Sequence, residues 1–233
     1  MSSVWQAIYD SPWHQPRLVG ALTALTLAAL VRWKLTAGRA RGSFLTAWTA
    51  LFGALAIIDA TITATDSPLL PDHAGLVGSL AIAFVLLGDA RVYALVEHEA
   101  NAAPSRSRRV IEGLAWGALV SVLMAPLART VPVFQRNPRT LFLTYELLAL
   151  AQAIVWRQVR LARAASRLSP EVSRWLREVT GFVAVQYALW ALADAVILWV
   201  HPAGFLLRVV PNVLYYGLFV GYVFLRAPPA IRS

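Results

Sequence analysis

Five polar residues interrupt otherwise apolar stretches of this sequence and are the first candidates for chemistry. The stretch 190–199, WALADAVILW, places Asp194 at the centre of a segment that suits the interior of a bilayer. A charge at the centre of a membrane helix costs roughly 2.5–3.5 kcal/mol, so such residues usually face a protein interior or a cavity. The set comprises Asp59, Glu146, Asp194, Arg208 and Asn212.

This set predicts the binding of a cation, an amine or a proton, because three carboxylates oppose one guanidinium. Gln186, Trp190 and Asp194 recur every four residues and share one helical stripe. The last apolar segment adds Tyr215 on the stripe of Arg208. The predicted ligand- or ion-binding residues are therefore Asp59, Glu146, Gln186, Trp190, Asp194, Arg208, Asn212 and Tyr215.

The same residues also have a purely structural interpretation. Asp194 could simply pair with Arg208, and Asp59 could hydrogen-bond Thr61 or Thr63. Intramembrane carboxylates mark functional sites in many proteins, but structural ion pairs occur as well. Both interpretations stay open at the level of sequence.

A second polar group lies toward the opposite end of the apolar segments. Asp89 and Tyr93 are four residues apart and share a helix face, whereas Arg91 points about 160° away from Asp89. We expect Arg91 to extend toward the lipid headgroups. Asp89 and Tyr93 are predicted to form an inner polar station of a pathway.

The elements that must position these residues are membrane helices. Of the 233 residues 58% are hydrophobic and only 14% are charged, whereas about 25% are charged in a soluble domain. We predict an all-α integral membrane protein with a single bundle of seven transmembrane helices. The predicted spans are 17–34, 43–64, 74–96, 109–129, 139–157, 175–200 and 204–226.

The basic residues around these spans predict the orientation. Fifteen Lys and Arg residues flank one side and five flank the other, which places the N-terminus outside and the C-terminus in the cytoplasm. Residues 1–16 form an outer interfacial segment, 17–226 the transmembrane domain and 227–233 a short cytoplasmic tail. We expect the protein in a bacterial cytoplasmic membrane.

Several partners and cofactors are excluded or disfavoured. The net charge is +9, but no basic patch interleaves with aromatic residues, so no nucleic-acid partner is predicted. Cysteine is absent, which excludes thiolate metal sites and disulfides. The histidines fall at or beyond helix ends, which argues against a buried haem, and no metal site is predicted. They are His14, His73, His98 and His201.

Two glycine pairs predict close helix packing, and a stripe of arginines predicts a charged surface. Gly113/Gly117 and Gly217/Gly221 have the GxxxG spacing that lets helices approach closely, either inside the bundle or against a second protomer or another membrane-complex partner. A basic stripe extends the fifth helix, and we expect it to be solvated near anionic headgroups. It comprises Arg157, Arg160, Arg163 and Arg167.

Two resemblances bear on function. Seven helices with an outer N-terminus resemble the rhodopsins, but the last helix has no lysine for a Schiff base, so retinal is excluded. Gly88-Asp89 and Ala193-Asp194 resemble the paired Gly-Asp and Ser-Asp helices of the lysoplasmalogenase-like membrane hydrolases. This sequence lacks the Lys-Pro pair and the histidine helix of that family. The family also has eight helices where we predict seven, so no family is assigned.

Three functions therefore stay open. The leading hypothesis is a transporter, channel or ligand-sensing subunit that handles a small solute, a cation or a proton through an acidic intramembrane cavity. The second is an intramembrane hydrolase with Asp89 and Asp194 as an acid–base pair. The third is a structural subunit of a larger membrane complex, in which the polar residues merely pair.

Overall fold

The computed structural model describes residues 3–11, 13–36, 44–62, 74–103 and 105–232, and these are almost entirely helical with no strand. Arg39, Arg41, Thr63 and His73 lie outside these ranges. The α-helices are α1 Val4–Asp10, α2 Val19–Thr36, α3 Phe44–Ile62, α4 Ala74–Ala100, α5 Arg106–Thr130, α6 Pro132–Arg136, α7 Pro138–Val155, α8 Pro170–Trp199, α9 Gly204–Asn212 and α10 Pro229–Arg232.

Three π-helical turns adjoin these helices. Trp13–Leu18 leads into α2. Trp156–Leu161 extends α7 and is followed by the short helical piece Ala162–Ala164. Val213–Leu218 follows α9 and leads into Phe219–Arg226. Each π turn changes the register of the side chains along its helix.

A helix lies at each of the seven segments predicted as spans, and the all-helical class is confirmed for the described residues. Four helices are long and apolar enough to cross a membrane. These are Phe44–Ile62, Arg106–Thr130, Pro170–Trp199 and Gly204–Arg226.

The outward face of α5 has the composition that lipid favours. Leu119, Val122 and Leu123 are all exposed on this helix. Large apolar side chains gathered on one exposed face mark a surface that another apolar phase covers. This helix is also one of those long and apolar enough to cross a membrane.

Polar caps set where the long helices begin. Ser169 accepts a hydrogen bond from the Val172 amide, with Pro170 in the first turn of α8, a combination that favours the start of a helix. Asn137 caps α7 through the Arg139 amide. This cap fixes the start of α7 and thereby the position of Arg139 in its first turn.

The chain divides into two compact units, one of Met1–Gln6 and Val85–Pro211 and the other of Ala7–Phe84 and Asn212–Ser233. In the first unit, α7 packs extensively against α8. Gly113 and Gly117 of α5 lie against the backbone of α4, where a Cβ on Gly113 would stand 2.5 Å from the Tyr93 carbonyl oxygen. Glycine permits this close approach of two helix backbones.

The second unit brings α2, α3 and the segment after α9 together. Gly217 and Gly221 face Leu22 and Thr26 of α2, and the Thr23 hydroxyl donates to the Tyr216 carbonyl over 2.9 Å. Both glycine pairs thus contact helices of the same chain. Their use by a second protomer or another protein stays a prediction.

Candidate functional site

Four charged side chains meet in the first unit, and we call them the paired-charge centre: Arg139, Glu146, Asp194 and Arg208. Arg208 is the hub, because its Nη1 atom pairs with Asp194 Oδ1 and also lies 3.2 Å from Glu146 Oε1. Arg139 Nη1 approaches Asp194 Oδ1 at 3.5 Å. The centre therefore ties α7, α8 and α9 together.

The centre is almost closed to solvent. Asp194 is 0% exposed and Glu146 4%, while the side chain of Arg139 keeps 24% exposure. Arg139 and Glu146 lie seven residues apart and so share one face of α7. Burial at this level makes the ion pairs strong, but also makes any incomplete pairing costly.

Aromatic rings support both guanidinium groups. The Arg139 Cζ atom lies 4.7 Å from the centre of the Phe205 ring. Phe142 stands between the two arginines, 5.9 Å from Arg139 Cζ and 6.0 Å from Arg208 Cζ. Such cation–π contacts orient the guanidinium planes and shield them from water.

Arg139 changes the charge balance that the sequence suggested. The predicted surplus of carboxylates counted Asp59, Glu146 and Asp194 against Arg208 alone. In the first unit the structure adds Arg139, so that two carboxylates lie with two guanidinium groups. Because Asp59 belongs to the second unit, the net negative cluster of the full predicted set stays a prediction.

Three buried oxygens of the first unit accept no hydrogen bond from the described residues. They belong to Asp194 (Oδ2), Glu146 (Oε2) and Gln186 (Oε1). An unmet buried acceptor costs about 1–3 kcal/mol, so each of these oxygens favours a donor. Trp190, predicted on the same stripe, is buried with its ring centre 5.5 Å from that of Tyr187.

The remaining members of the predicted ligand set belong to the second unit. Asp59 is buried on α3. The Asn212 amide donates to the Tyr9 hydroxyl over 3.0 Å, and the Tyr215 ring centre lies 4.7 Å from that of Tyr216. Their membership in one site with Asp194 stays a prediction.

The two residues of the predicted inner station, Asp89 and Tyr93, both lie on α4. Asp89 accepts hydrogen bonds from the Tyr145 and Tyr187 hydroxyls. Tyr93 packs edge-on against Trp156, with ring centres 6.5 Å apart. Their role as a station of a pathway stays a prediction. Arg91 is only 3% exposed, so the expectation that it extends to the headgroups is wrong.

Asp89 and Asp194, the proposed acid–base pair of a hydrolase, belong to different networks. Tyr187 bonds Asp89, and Asp194 lies seven residues further along α8, which is about 10 Å of helix. Among the described residues, no hydrogen bond or ion pair joins the two aspartates. The hydrolase stays a prediction without geometric support.

A buried carboxylate at the end of α4 was missed by the sequence reasoning. Glu97 is 1% exposed and accepts hydrogen bonds from Trp156 Nε1 at 2.8 Å and from Arg160 Nε and Nη2 at 3.1 and 2.8 Å. Asn101 donates to it as well, over 3.0 Å. The hydrogen bonds from Arg160 to Glu97 raise the pKa of the Arg160 guanidinium.

A signal for this network was present in the sequence. Trp156 and Arg160 are four residues apart, and Glu97 ends a helix on the side that the topology assigns to the cytoplasm. Arg160 was expected to be one of four solvated arginines, but its side chain is only 37% exposed and is paired with Glu97. No group of three or more potential metal ligands occurs among the described residues.

Comparisons with known proteins do not assign a family. No protein-family model, no curated protein and no solved structure matches this chain. The residues of this chain alone therefore carry the functional proposals.

Proposed function

We propose that this chain spans a bacterial cytoplasmic membrane as a single bundle of seven helices, with the N-terminus outside and the C-terminus in the cytoplasm. Four helices of sufficient length and hydropathy support a membrane location. The distribution of fifteen and five basic residues supports the orientation. In this topology the paired-charge centre lies in the outer half of the membrane and Glu97 at the cytoplasmic end.

We infer that the paired-charge centre binds and releases a proton while the protein handles a small solute, as a transporter, channel or ligand-sensing subunit. One observation carries the proposal. Two buried carboxylates share a single guanidinium nitrogen, and each keeps an oxygen that accepts no hydrogen bond from the described residues. A proton on either carboxyl group supplies the missing donor.

The balanced charges favour a proton over a metal cation. A metal cation would approach carboxylates that Arg139 and Arg208 already neutralise, and both arginines would repel it. A proton instead converts one carboxylate to a neutral donor. Arg208 then pairs with the other carboxylate alone, on either α7 or α8. Proton binding thus selects between two ion-pair arrangements of Arg208. A transport cycle needs such an element with two stable states.

A pH titration by infrared difference spectroscopy tests this proposal on the purified full-length protein. Between about pH 4 and about pH 9, we expect a protonated-carboxyl stretch whose intensity changes with pH and which is lost in Glu146→Gln or in Asp194→Asn. Glu171→Gln is the matched control, because Glu171 is an exposed carboxylate in the first turn of α8. Both buried carboxylates remaining ionised throughout would reject proton binding at this centre.

The alternative functions predict other outcomes for the same variants. Transport or sensing predicts that Asp194→Asn abolishes pH-dependent uptake or ligand response while the protein still inserts and folds. A hydrolase predicts lipid turnover in detergent that is lost in Asp89→Asn and in Asp194→Asn alike. A structural subunit predicts normal behaviour of both variants and co-purification with a defined partner.

A further inference from the structure

A pocket of about 430 Å³ opens beside the buried Glu97. Its walls come from the end of α4, from the residues after it, and from the extension of α7. The volume lies in the range of small-molecule sites, about 300–1,000 Å³. All of the lining belongs to the first unit, and none of it belongs to the paired-charge centre.

The lining carries more positive than negative charge. Arg160, Arg163 and Arg167 line the pocket together with one carboxylate, Glu97. Glu97 is paired with Arg160. Among the described residues, no carboxylate pairs with Arg163 or Arg167. The pocket therefore presents two uncompensated positive charges.

Two hydrogen bonds to Glu97 hold the Arg160 guanidinium in place beside the pocket. Glu97 engages its Nε and Nη2 atoms, and Glu112 approaches the same Nη2 atom at 3.8 Å. The remaining nitrogen, Nη1, donates to none of the described residues. Because a two-point contact fixes the guanidinium plane, binding a ligand at Nη1 costs little side-chain entropy.

One neutral hydroxyl adds hydrogen-bonding capacity to the lining. Ser166 lines the pocket, whereas the Asn101 amide, also in the lining, already donates to Glu97 and Glu112. Together with three guanidinium groups the Ser166 hydroxyl supplies donors on several sides, which suits a tetrahedral oxyanion better than a planar carboxylate. A phosphate monoester carries a charge of about −1.5 to −2 at neutral pH, which matches the two uncompensated arginines.

We propose that this arginine pocket binds a phosphate monoester group, borne either by a soluble metabolite or by a lipid headgroup. The pocket exceeds what a bare phosphate ion fills, so the organic part of the ligand occupies the remainder. The site is independent of proton binding at the paired-charge centre. It replaces the expectation of a merely solvated stripe with a built site, in which Arg160 is fixed and Arg163 and Arg167 contribute charge.

The test measures binding to the purified full-length protein with two probes. Glycerol 3-phosphate, added to protein in detergent, represents a soluble ester, with glycerol as the uncharged reference. Phosphatidylcholine nanodiscs with and without phosphatidic acid represent the headgroup. Saturable binding of glycerol 3-phosphate assigns the site to a soluble ester, whereas binding of phosphatidic acid alone assigns it to a lipid.

The variants locate the binding. We expect Arg163→Gln combined with Arg167→Gln to weaken binding at least about tenfold, since the loss of even one hydrogen bond to a charged group has an effect of that size. Both side chains are exposed, so the variant should fold, which circular dichroism and size-exclusion chromatography verify.

Arg157→Gln is the matched control. It removes one charge from the same helical extension, at an exposed residue outside the pocket lining, and should weaken binding less than about twofold. Failure of both probes to bind the unmodified protein would overturn the proposal. Equal weakening by Arg157→Gln would overturn it too, because the attraction would then be diffuse rather than local.

Discussion

The paired-charge centre and the arginine pocket both combine buried carboxylates with arginines. The centre lacks hydrogen-bond donors, whereas the pocket lacks acceptors. In the centre, Glu146 and Asp194 share Arg208, and each keeps an oxygen without a donor among the described residues. In the pocket, Glu97 receives hydrogen bonds from three residues, Trp156, Arg160 and Asn101. Among the residues that line the pocket, arginines outnumber carboxylates.

This difference favours a different ligand at each site, a proton at the centre and an anion in the pocket. A site short of donors favours a proton, which brings a donor without adding volume. A site short of acceptors, with room beside it, favours an anion. Exposure follows the same division, because Asp194 is 0% exposed whereas the side chain of Arg160 is 37% exposed. A closed site suits a proton and an open one suits a larger ligand.

The largest expected effect comes from Arg208→Met, which would leave Asp194 with Arg139 and Glu146 with no ion pair among the described residues. Removing one partner of a buried ion pair costs about 3–5 kcal/mol. We therefore expect the free energy of unfolding in detergent to fall by that amount, measured by chemical unfolding followed through tryptophan fluorescence. Adding Asp194→Asn to Arg208→Met should restore part of the loss. A loss below about 1 kcal/mol would mean that the carboxylates are already protonated or hydrated.

An intermediate effect is expected from Trp156→Phe, which removes one donor from Glu97 and little volume. A hydrogen bond to a charged group contributes about 1.5–3 kcal/mol, so the free energy of unfolding should fall by about 2 kcal/mol. Trp199→Phe is the control, because Trp199 is 75% exposed and should change stability little. If both variants behave alike, the indole of Trp156 does not support Glu97.

The smallest effect is expected from Arg163→Gln. Its side chain is exposed, and no described carboxylate pairs with it. Stability should therefore change by less than about 0.5 kcal/mol in the same unfolding measurement, even though phosphate binding weakens. A loss above about 1 kcal/mol would show that Arg163 has a structural role. The pocket would then resemble the paired-charge centre more closely than we propose.

Local chemistry made much of the helical structure predictable. The Ser169-Pro170 start of α8 followed from a capping hydroxyl and a proline in the first turn. Pairing of Asp194 with Arg208 was an open alternative, and the structure contains it. Depth along a helix can be estimated from sequence because each residue adds a constant rise.

The partners of Asp89 and Asp194 could not be predicted in the same way. Arg139 and Tyr145 were not among the residues predicted for either polar group. Sequence gives the stripe on which a residue lies, but not the direction in which that stripe faces a neighbouring helix. The orientation of α7 brings Arg139 to Asp194 of α8 and Tyr145 to Asp89 of α4.

By itself, the sequence determined a helical chain with segments able to cross a membrane, because hydropathy, caps and breakers act within a few residues of one another. The tertiary structure alone decided that the charges of the centre balance, that Glu97 is buried under Trp156 and Arg160, and that two arginines beside it are left without a carboxylate among the described residues. These outcomes depend on which helix faces meet. Packing settles that through contacts between residues far apart in the chain.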